Sequence, residues 1–175
     1  MTVTIAPWSP DFLIAELQAR GLHYLIGPLP APPAPRLADE ELLAALAQQH
    51  DARVRSSLIP LFLQQPHLAK ALPLALQRLA SLEQLVLKIY YTAAVILQAQ
   101  YEQSLQQSLP RWRPLLDLYG EELGVSSGGS VDERLRQLGA FHAQLTGLRA
   151  NWPGTYHHAA TTWIRHLKRV EQWAA

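Results

Sequence analysis

Residues 85–97, LVLKIYYTAAVIL, form the longest apolar run in the chain, and this run decides the fold class. A helix that spans a bilayer needs about 20 apolar residues, so this run, which also contains Lys88, is too short to cross a membrane. Built as a helix, it is apolar on nearly every side, which is typical of a helix covered by neighbours all round. We therefore predict a central buried helix over about residues 81–108 in an all-α domain.

The rest of the chain also favours helices. Its 175 residues include 32 leucines and 24 alanines, while alternating runs of β-branched residues are almost absent. Helix-start signals recur at Ser9–Pro10, Asp39, Asp51, Pro66, Ser81 with Gln84, and Ser130 with Glu133. Together with a last helix over about residues 155–174, after a turn at Pro153 and Gly154, they predict a compact bundle of six to eight helices. We expect one domain over residues 1–175.

Two segments are expected to lack regular structure. Residues 27–36, GPLPAPPAPR, hold five of the 13 prolines and predict an extended tether, which would make the first helix part of an N-terminal arm. Residues 124–130, GVSSGGS, predict a flexible loop. Asp132 and Glu133 follow this loop and would repel a phosphate at the helix start, so we do not expect a phosphate site there.

Composition excludes several classes of protein. Hydrophobic residues make up 49% of the chain and charged residues 17%, which argues against a disordered protein. The absence of cysteine excludes disulfides, thiolate metal sites and cysteine nucleophiles. A net charge of +1 argues against a strongly basic nucleic-acid binder. The first ten residues carry no secretory signal, so the expected location is the cytoplasm.

Charge is nevertheless segregated along the chain. Residues 1–52 carry 2 basic and 6 acidic groups, and residues 53–113 carry 7 basic and 2 acidic groups. Residues 114–133 carry 5 acidic groups and none basic, and residues 134–175 carry 6 basic and 1 acidic. The favoured interpretation is that these blocks pair with one another within the fold. The other is that a basic block forms a binding surface.

The last helix carries a regular apolar seam. Spacings of 4, 3, 4, 3 and 4 residues join Tyr156, Ala160, Trp163, Leu167, Val170 and Ala174. This a/d-type pattern predicts packing against another helix of the bundle or of a partner. Trp173 lies off the centre of the seam. It is either an exposed anchor for a protein partner or a homodimer, or ordinary core filling.

Two basic features suggest nucleic acid as the alternative partner. Arg165 and Arg169 lie on the side of the last helix opposite its seam, and Arg111, Trp112 and Arg113 form a compact cationic and aromatic spot. Arginine beside tryptophan suits phosphate contacts combined with base stacking. It suits equally well a solvated helix face and a cation–π contact inside the domain.

One short motif resembles a ribonuclease signature. Arg136 to His142, RQLGAFH, fits the loose R-x4-6-H pattern of the all-helical HEPN ribonucleases, and the resemblance would make Arg136 and His142 a catalytic pair. A chain this rich in arginine and histidine is expected to contain such a match by chance. Six residues also turn a helix by about 600°, which leaves the two side chains some 120° apart.

A second segment resembles one helical hairpin of the HEAT type. The resemblance covers residues 50–79 and rests on Asp51, Val54 and Arg55 before an apolar helix, followed by a second helix that starts at a proline. It spans about a sixth of the chain, and no second copy is found, whereas a solenoid needs about three or more repeats. The resemblance therefore bears on local shape alone.

Histidines of the last helix do not predict a metal site. His157 and His158 point about 100° apart on a helix, and His166 lies two turns from His158. No H-E-x-x-H pattern accompanies them. We expect neither a metal nor another cofactor.

No set of residues supplies a nucleophile, a base and an orienting group at a meaningful spacing. The expected function is therefore a non-enzymatic helical module for protein–protein interaction, an adaptor or regulatory subunit. The alternative is a nucleic-acid-associated protein, such as a HEPN-like ribonuclease or a toxin–antitoxin component.

Overall fold

The computed structural model describes residues 8–174, and within that range the chain is all-helical and contains no strand. A 3-10 helix (Pro66–Ala71) lies between α4 and α5. The α-helices of this range are α1 (Pro10–Ala19), α2 (Asp39–Ala47), α3 (Ala52–Ser56), α4 (Leu58–Gln64), α5 (Leu72–Gln77), α6 (Ser81–Ser108), α7 (Val131–Thr146) and α8 (Trp152–Ala174). The predicted all-α bundle of six to eight helices is confirmed.

Helix α6 is the centre of the bundle. Every residue from 89 to 97 is at most 6% exposed, and α2, α4, α7 and α8 all contact this helix. Ala93 and Ala94 are fully buried, and their small side chains let neighbouring helices come close. The predicted bounds of this helix, its burial and its central position are confirmed.

Helix α1 belongs to the same core. Leu13, Ile14 and Leu17 are fully buried, although we expected an arm held away from the bundle by a tether. Residues 27–36 do lack regular secondary structure, as predicted. They do not separate α1 from the bundle, because the end of this segment folds back onto α1.

Glu16 explains this return of the chain. Its side chain is fully buried in α1, where Oε2 accepts hydrogen bonds from the backbone N–H groups of Arg36 (2.9 Å) and Leu37 (3.0 Å), and Oε1 accepts from Arg36 Nε (2.9 Å). Burial raises the pKa of this carboxyl, but the hydrogen bonds from Arg36 and Leu37 outweigh it, so the pKa lies below its ordinary value. The buried carboxylate therefore fastens the proline-rich segment to α1.

Helix starts agree with the sequence at three positions and differ at two. Ser9, Asp51 and Ser130 cap α1, α3 and α7, each through a side-chain oxygen that accepts a backbone N–H bond. Asp39 and Ser81 were expected to cap α2 and α6 but are their first helical residues. At both of these helices a glutamate two residues further on accepts from the backbone N–H of the preceding alanine.

Helix α8 begins earlier than predicted. Pro153 and Gly154 do not form a turn, because proline fits the first turn of a helix, where its missing N–H is not needed. The chain instead turns at Gly147, which has a left-handed φ of 68° and ends α7. At Gly139 a Cβ would lie 2.9 Å from Cδ of Pro153, so this glycine lets α7 and α8 approach closely.

The segment that resembles a HEAT hairpin is more broken than that motif. It consists of α3, α4, the 3-10 helix and α5, with the first break at Ser57 and Pro60 in the first turn of α4. Residues 124–130 contain neither helix nor strand, as expected for a loop. Ser126 is held there, since its N–H donates to Gln137 Oε1 (2.8 Å) and its carbonyl accepts from Arg134 Nε (2.9 Å).

None of the helices described is both long enough and apolar enough to span a bilayer.

The burial of α6 makes a first prediction. Ile89→Ala should lower the free energy of unfolding by about 2–5 kcal/mol, because it removes packed methyl and methylene groups from a site that is fully buried. Urea unfolding followed by circular dichroism measures this change. Leu82→Ala on the same helix, at a side chain that is 56% exposed, is the matched control and should cost less than about 1 kcal/mol. Equal losses in the two variants would contradict the central position of α6.

A second prediction concerns Glu16. Glu16→Gln should lower the free energy of unfolding by about 2–4 kcal/mol, because the neutral amide can accept only part of the three hydrogen bonds. Asp11→Asn on the exposed side of α1 removes one charge as well and should cost less than about 1 kcal/mol. The same urea titration compares them, and a Glu16→Gln protein as stable as the parent would refute the fastening role.

Candidate functional site

The second half of α8 extends beyond the packed bundle. Trp152, Tyr156 and Trp163 in the first half are buried, yet no residue from 165 to 174 is buried in the described chain. The seam predicted from sequence is therefore divided in two. Its first half is buried in the bundle, where α8 contacts α4, α6 and α7. In its second half Leu167 is still partly buried against the core, and Val170 is exposed.

The uncovered half of the seam is apolar. Leu167 is partly buried, whereas Val170 is 48% exposed and Trp173 is 86% exposed. Val170 and Trp173 are three residues apart and so lie on one face of the helix. Trp112, Trp152 and Trp163 are each at most 8% exposed, which makes Trp173 the exception. Of the two interpretations of Trp173 offered by the sequence, core filling is therefore wrong, and the side chain is exposed.

The same turns of α8 also carry basic side chains. Arg165, Lys168 and Arg169 are all exposed, and Glu171 is the single acidic residue among residues 165–174. Burial lowers the pKa of His166 on the same helix, and His23 and Arg169 nearby lower it further. The end of α8 is thus a cationic surface with an apolar stripe.

The RWR spot does not present its aromatic ring. Trp112 is only 8% exposed, and its Nε1–H donates to the carbonyl of Leu63 (3.1 Å), so the indole is part of the core. Arg111 and Arg113 on either side of it are exposed. The structure therefore separates the two halves of the predicted nucleic-acid spot: the cations face solvent and the ring does not.

The structure does not bring Arg136 and His142 together at one surface. Arg136 is exposed on α7, whereas His142 is 1% exposed and faces α8. The Nδ1 atom of His142 lies 2.7 Å from the hydroxyl of Tyr156, and its ring stacks on Trp152 with centroids 3.6 Å apart. The difference follows from the angle of about 120° between positions six residues apart on a helix.

His142 belongs to a buried aromatic cluster that sequence reasoning missed. The rings of Tyr90 and His142 pack edge to face, with centroids 5.8 Å apart. Arg55 Nε lies 3.4 Å from the Tyr90 hydroxyl. Burial lowers the pKa of His142 to about 4, and the positive charge of Arg55 contributes to the shift. The imidazole is therefore neutral at pH 7. It fixes α8 against α7 and α6.

The other histidines of α8 are dispersed. His157 Nε2 lies 3.4 Å from Asp132 Oδ1 on α7, and His158 is exposed. In the part of the chain that the structure describes, no three histidine or acidic side chains are grouped closely enough to hold a metal ion.

The chain matches no known protein-family model, and comparisons with curated proteins and with solved structures give no significant similarity. Its function must therefore be inferred from its own residues. Those residues define an all-α bundle whose last helix carries an uncovered apolar and basic end.

The buried histidine makes a third prediction. An unfolded chain protonates His142 near pH 6.5 and the folded chain only near pH 4, so the unfolded state binds more protons between these values. The free energy of unfolding should therefore fall by about 2 kcal/mol between pH 7 and pH 5 on account of this residue. Urea unfolding at the two pH values measures the effect.

Two variants make that measurement specific. His142→Phe cannot titrate, so its loss of stability between pH 7 and pH 5 should be smaller by about 2 kcal/mol than that of the parent. His158→Gln, at an exposed position of α8, should keep the parent's pH dependence. If His142→Phe and the parent lose the same stability on acidification, the buried neutral histidine is refuted.

Proposed function

We propose that this protein is a non-enzymatic interaction module, an adaptor or regulatory subunit, that binds a partner protein through the exposed end of α8. The observation that carries the proposal is the exposure of Val170 and Trp173, which lie on one face of α8 beyond the partly buried Leu167. Large aromatic residues at such positions are the usual anchors of protein–protein interfaces.

The positive charge at the end of α8 favours a partner protein with an acidic surface. Arg165, Lys168 and Arg169 lie on the same turns of α8 as Val170 and Trp173, on the other side of the helix from the seam, and Glu171 is the single acidic residue among them. Two copies of this end packed on each other would bring cations against cations, which disfavours a homodimer through this surface. A partner helix or groove that is apolar at its centre and acidic at its rim complements the surface in both respects.

The alternative proposal is a nucleic-acid-associated protein that uses the same cations. It is supported by the exposure of Arg165 and Arg169, which leaves both free to contact phosphates. The burial of Trp112 weighs against it, because that ring cannot stack on a base from its place in the core. The burial of His142 weighs against a HEPN-like ribonuclease, since a catalytic histidine must reach its substrate.

A fourth prediction tests the partner directly. A photo-crosslinking residue at position 173, introduced in the native host, should form a covalent product with one protein, because an interface anchor lies in contact with the partner. Position 116 is the matched control, since Leu116 is 73% exposed but lies outside α8. Mass spectrometry identifies the product, and the purified partner is then used for binding measurements.

Substitutions distinguish the two candidate functions. Trp173→Ala should weaken the purified complex by more than about 1 kcal/mol, while Leu116→Ala should leave it unchanged. Arg165→Gln with Arg169→Gln should weaken the complex less and reduce its salt dependence. RNA or DNA binding at physiological salt that the arginine changes abolish and Trp173→Ala does not affect would overturn the proposal in favour of the alternative. So would crosslinks to nucleic acid alone.

A further inference from the structure

A second surface, away from the end of α8, combines a cavity with unpaired positive charge. The 3-10 helix and residues 109–114 border a groove of about 670 Å³. Its apolar lining includes Leu109, Trp112 and three prolines, and its basic lining consists of His67, Lys70, Arg111 and Arg113. Ligand sites of small molecules have volumes of this order and mix an apolar lining with a few converging polar groups.

One wall of the groove owes its charge to the 3-10 helix. Three residues complete a turn of such a helix, so side chains three positions apart lie directly above one another. His67 and Lys70 have this spacing and are both exposed, while Leu68 between them is buried. The helix therefore presents two basic side chains on one side, towards the groove.

The positive charge of the other wall comes from Arg111 and Arg113, which are exposed on either side of the buried Trp112. The indole points inwards and donates to the Leu63 carbonyl, so Arg111 and Arg113 on either side of it point outwards. Both line the groove. A sequence interpretation that treats RWR as a single stacking spot misses this division, because the burial of Trp112 depends on a contact with a residue 49 positions away.

No carboxylate neutralises these four side chains. No acidic residue lines the groove, and within residues 8–174 none of the four forms a salt bridge or a side-chain hydrogen bond. Other basic residues of the described chain do pair with carboxylates, among them Arg20, Arg36, Arg78, Lys88 and Arg134. Cations held together without a counter-charge repel one another, and a bound anion removes that repulsion.

We propose that this groove binds a small organic phosphate with two or more negative charges, of the size of a nucleotide. Guanidinium groups match phosphate oxygens through paired hydrogen bonds, and Lys70 adds a point charge on the facing wall. The apolar lining, formed by Leu109 and the prolines, receives the organic part of the ligand.

Charge beyond the groove favours a compact anion over an RNA chain. The chain leaves the groove at Pro114, and residues 114–133 carry five acidic groups and no basic one. A polyanion that ran on along this segment would meet the exposed carboxylate of Glu121, and Asp117 in the same segment is already paired with Arg134. A ligand confined to the groove avoids them.

Isothermal titration calorimetry tests the proposal on the full chain. ATP and inorganic pyrophosphate, each without divalent cations, should bind at sub-millimolar concentration. Arg111→Gln combined with Arg113→Gln should weaken binding at least about tenfold, and Lys70→Gln should weaken it measurably. All three side chains are exposed, so the variants should keep the parent's thermal unfolding curve.

The control is a pair of equal charge elsewhere. Arg53→Gln combined with Arg149→Gln, at exposed positions on α3 and after α7, should leave ATP and pyrophosphate binding unchanged. If neither ligand gives heat at millimolar concentration, or if both double variants weaken binding equally, the groove is not the proposed site. Binding of a short single-stranded RNA without binding of ATP or pyrophosphate would also overturn the proposal and assign the groove to nucleic acid.

Discussion

A helix that is apolar on all its sides must be enclosed, and the middle of α6 imposes this requirement on the rest of the chain. Residues 89–97 are buried against α2, α4, α7 and α8 together. Enclosure also constrains the polar atoms of this stretch, because a buried hydroxyl needs a hydrogen-bond partner. The hydroxyl of Tyr91 donates to the carbonyl of Leu116 (2.8 Å), and Arg55 approaches that of Tyr90. The segment after α6 is thus packed along it. The hydroxyl of Thr92 is the exception, since it is buried without a hydrogen-bond partner among the described residues.

Helix α8 consists of a buried first half and a largely exposed second half. Its first half is fixed by the cluster of His142, Trp152 and Tyr156, where a stacked neutral imidazole fills the contact between α7 and α8. Its second half has no such neighbours among the described residues and displays Val170 and Trp173. In the proposed function, the first half of α8 stabilises the fold and the second half binds the partner.

The fold could be read from the sequence wherever the signal is local. The burial of α6 follows from its apolar run and its start from Ser81 with Gln84, and Ser9, Asp51 and Ser130 cap as their side chains predict. Predictions failed where the deciding contact is distant or of an unusual kind. The caps of α2 and α6 depend on a glutamate that bonds to the N–H of an alanine, so a search for capping side chains misplaces them by one residue. The place of α1 depends on a buried glutamate and a backbone 20 residues away.

Candidate sites were predicted less well than helices, for the same reason. Helical spacing identified the seam and the exposed side of Arg165 and Arg169, but it did not show that the bundle covers only half of the seam. His142 and Trp112 are buried by contacts with other helices, and the basic groove joins two segments some 40 residues apart. The tight fit of Gly139 on Pro153 has a further consequence, which is mechanical. It fixes the start of α8, and the buried Ile164 fixes its middle, so the free lever that carries Trp173 is about 14 Å long. A bend of about 5° along that lever moves the exposed indole by about 1 Å.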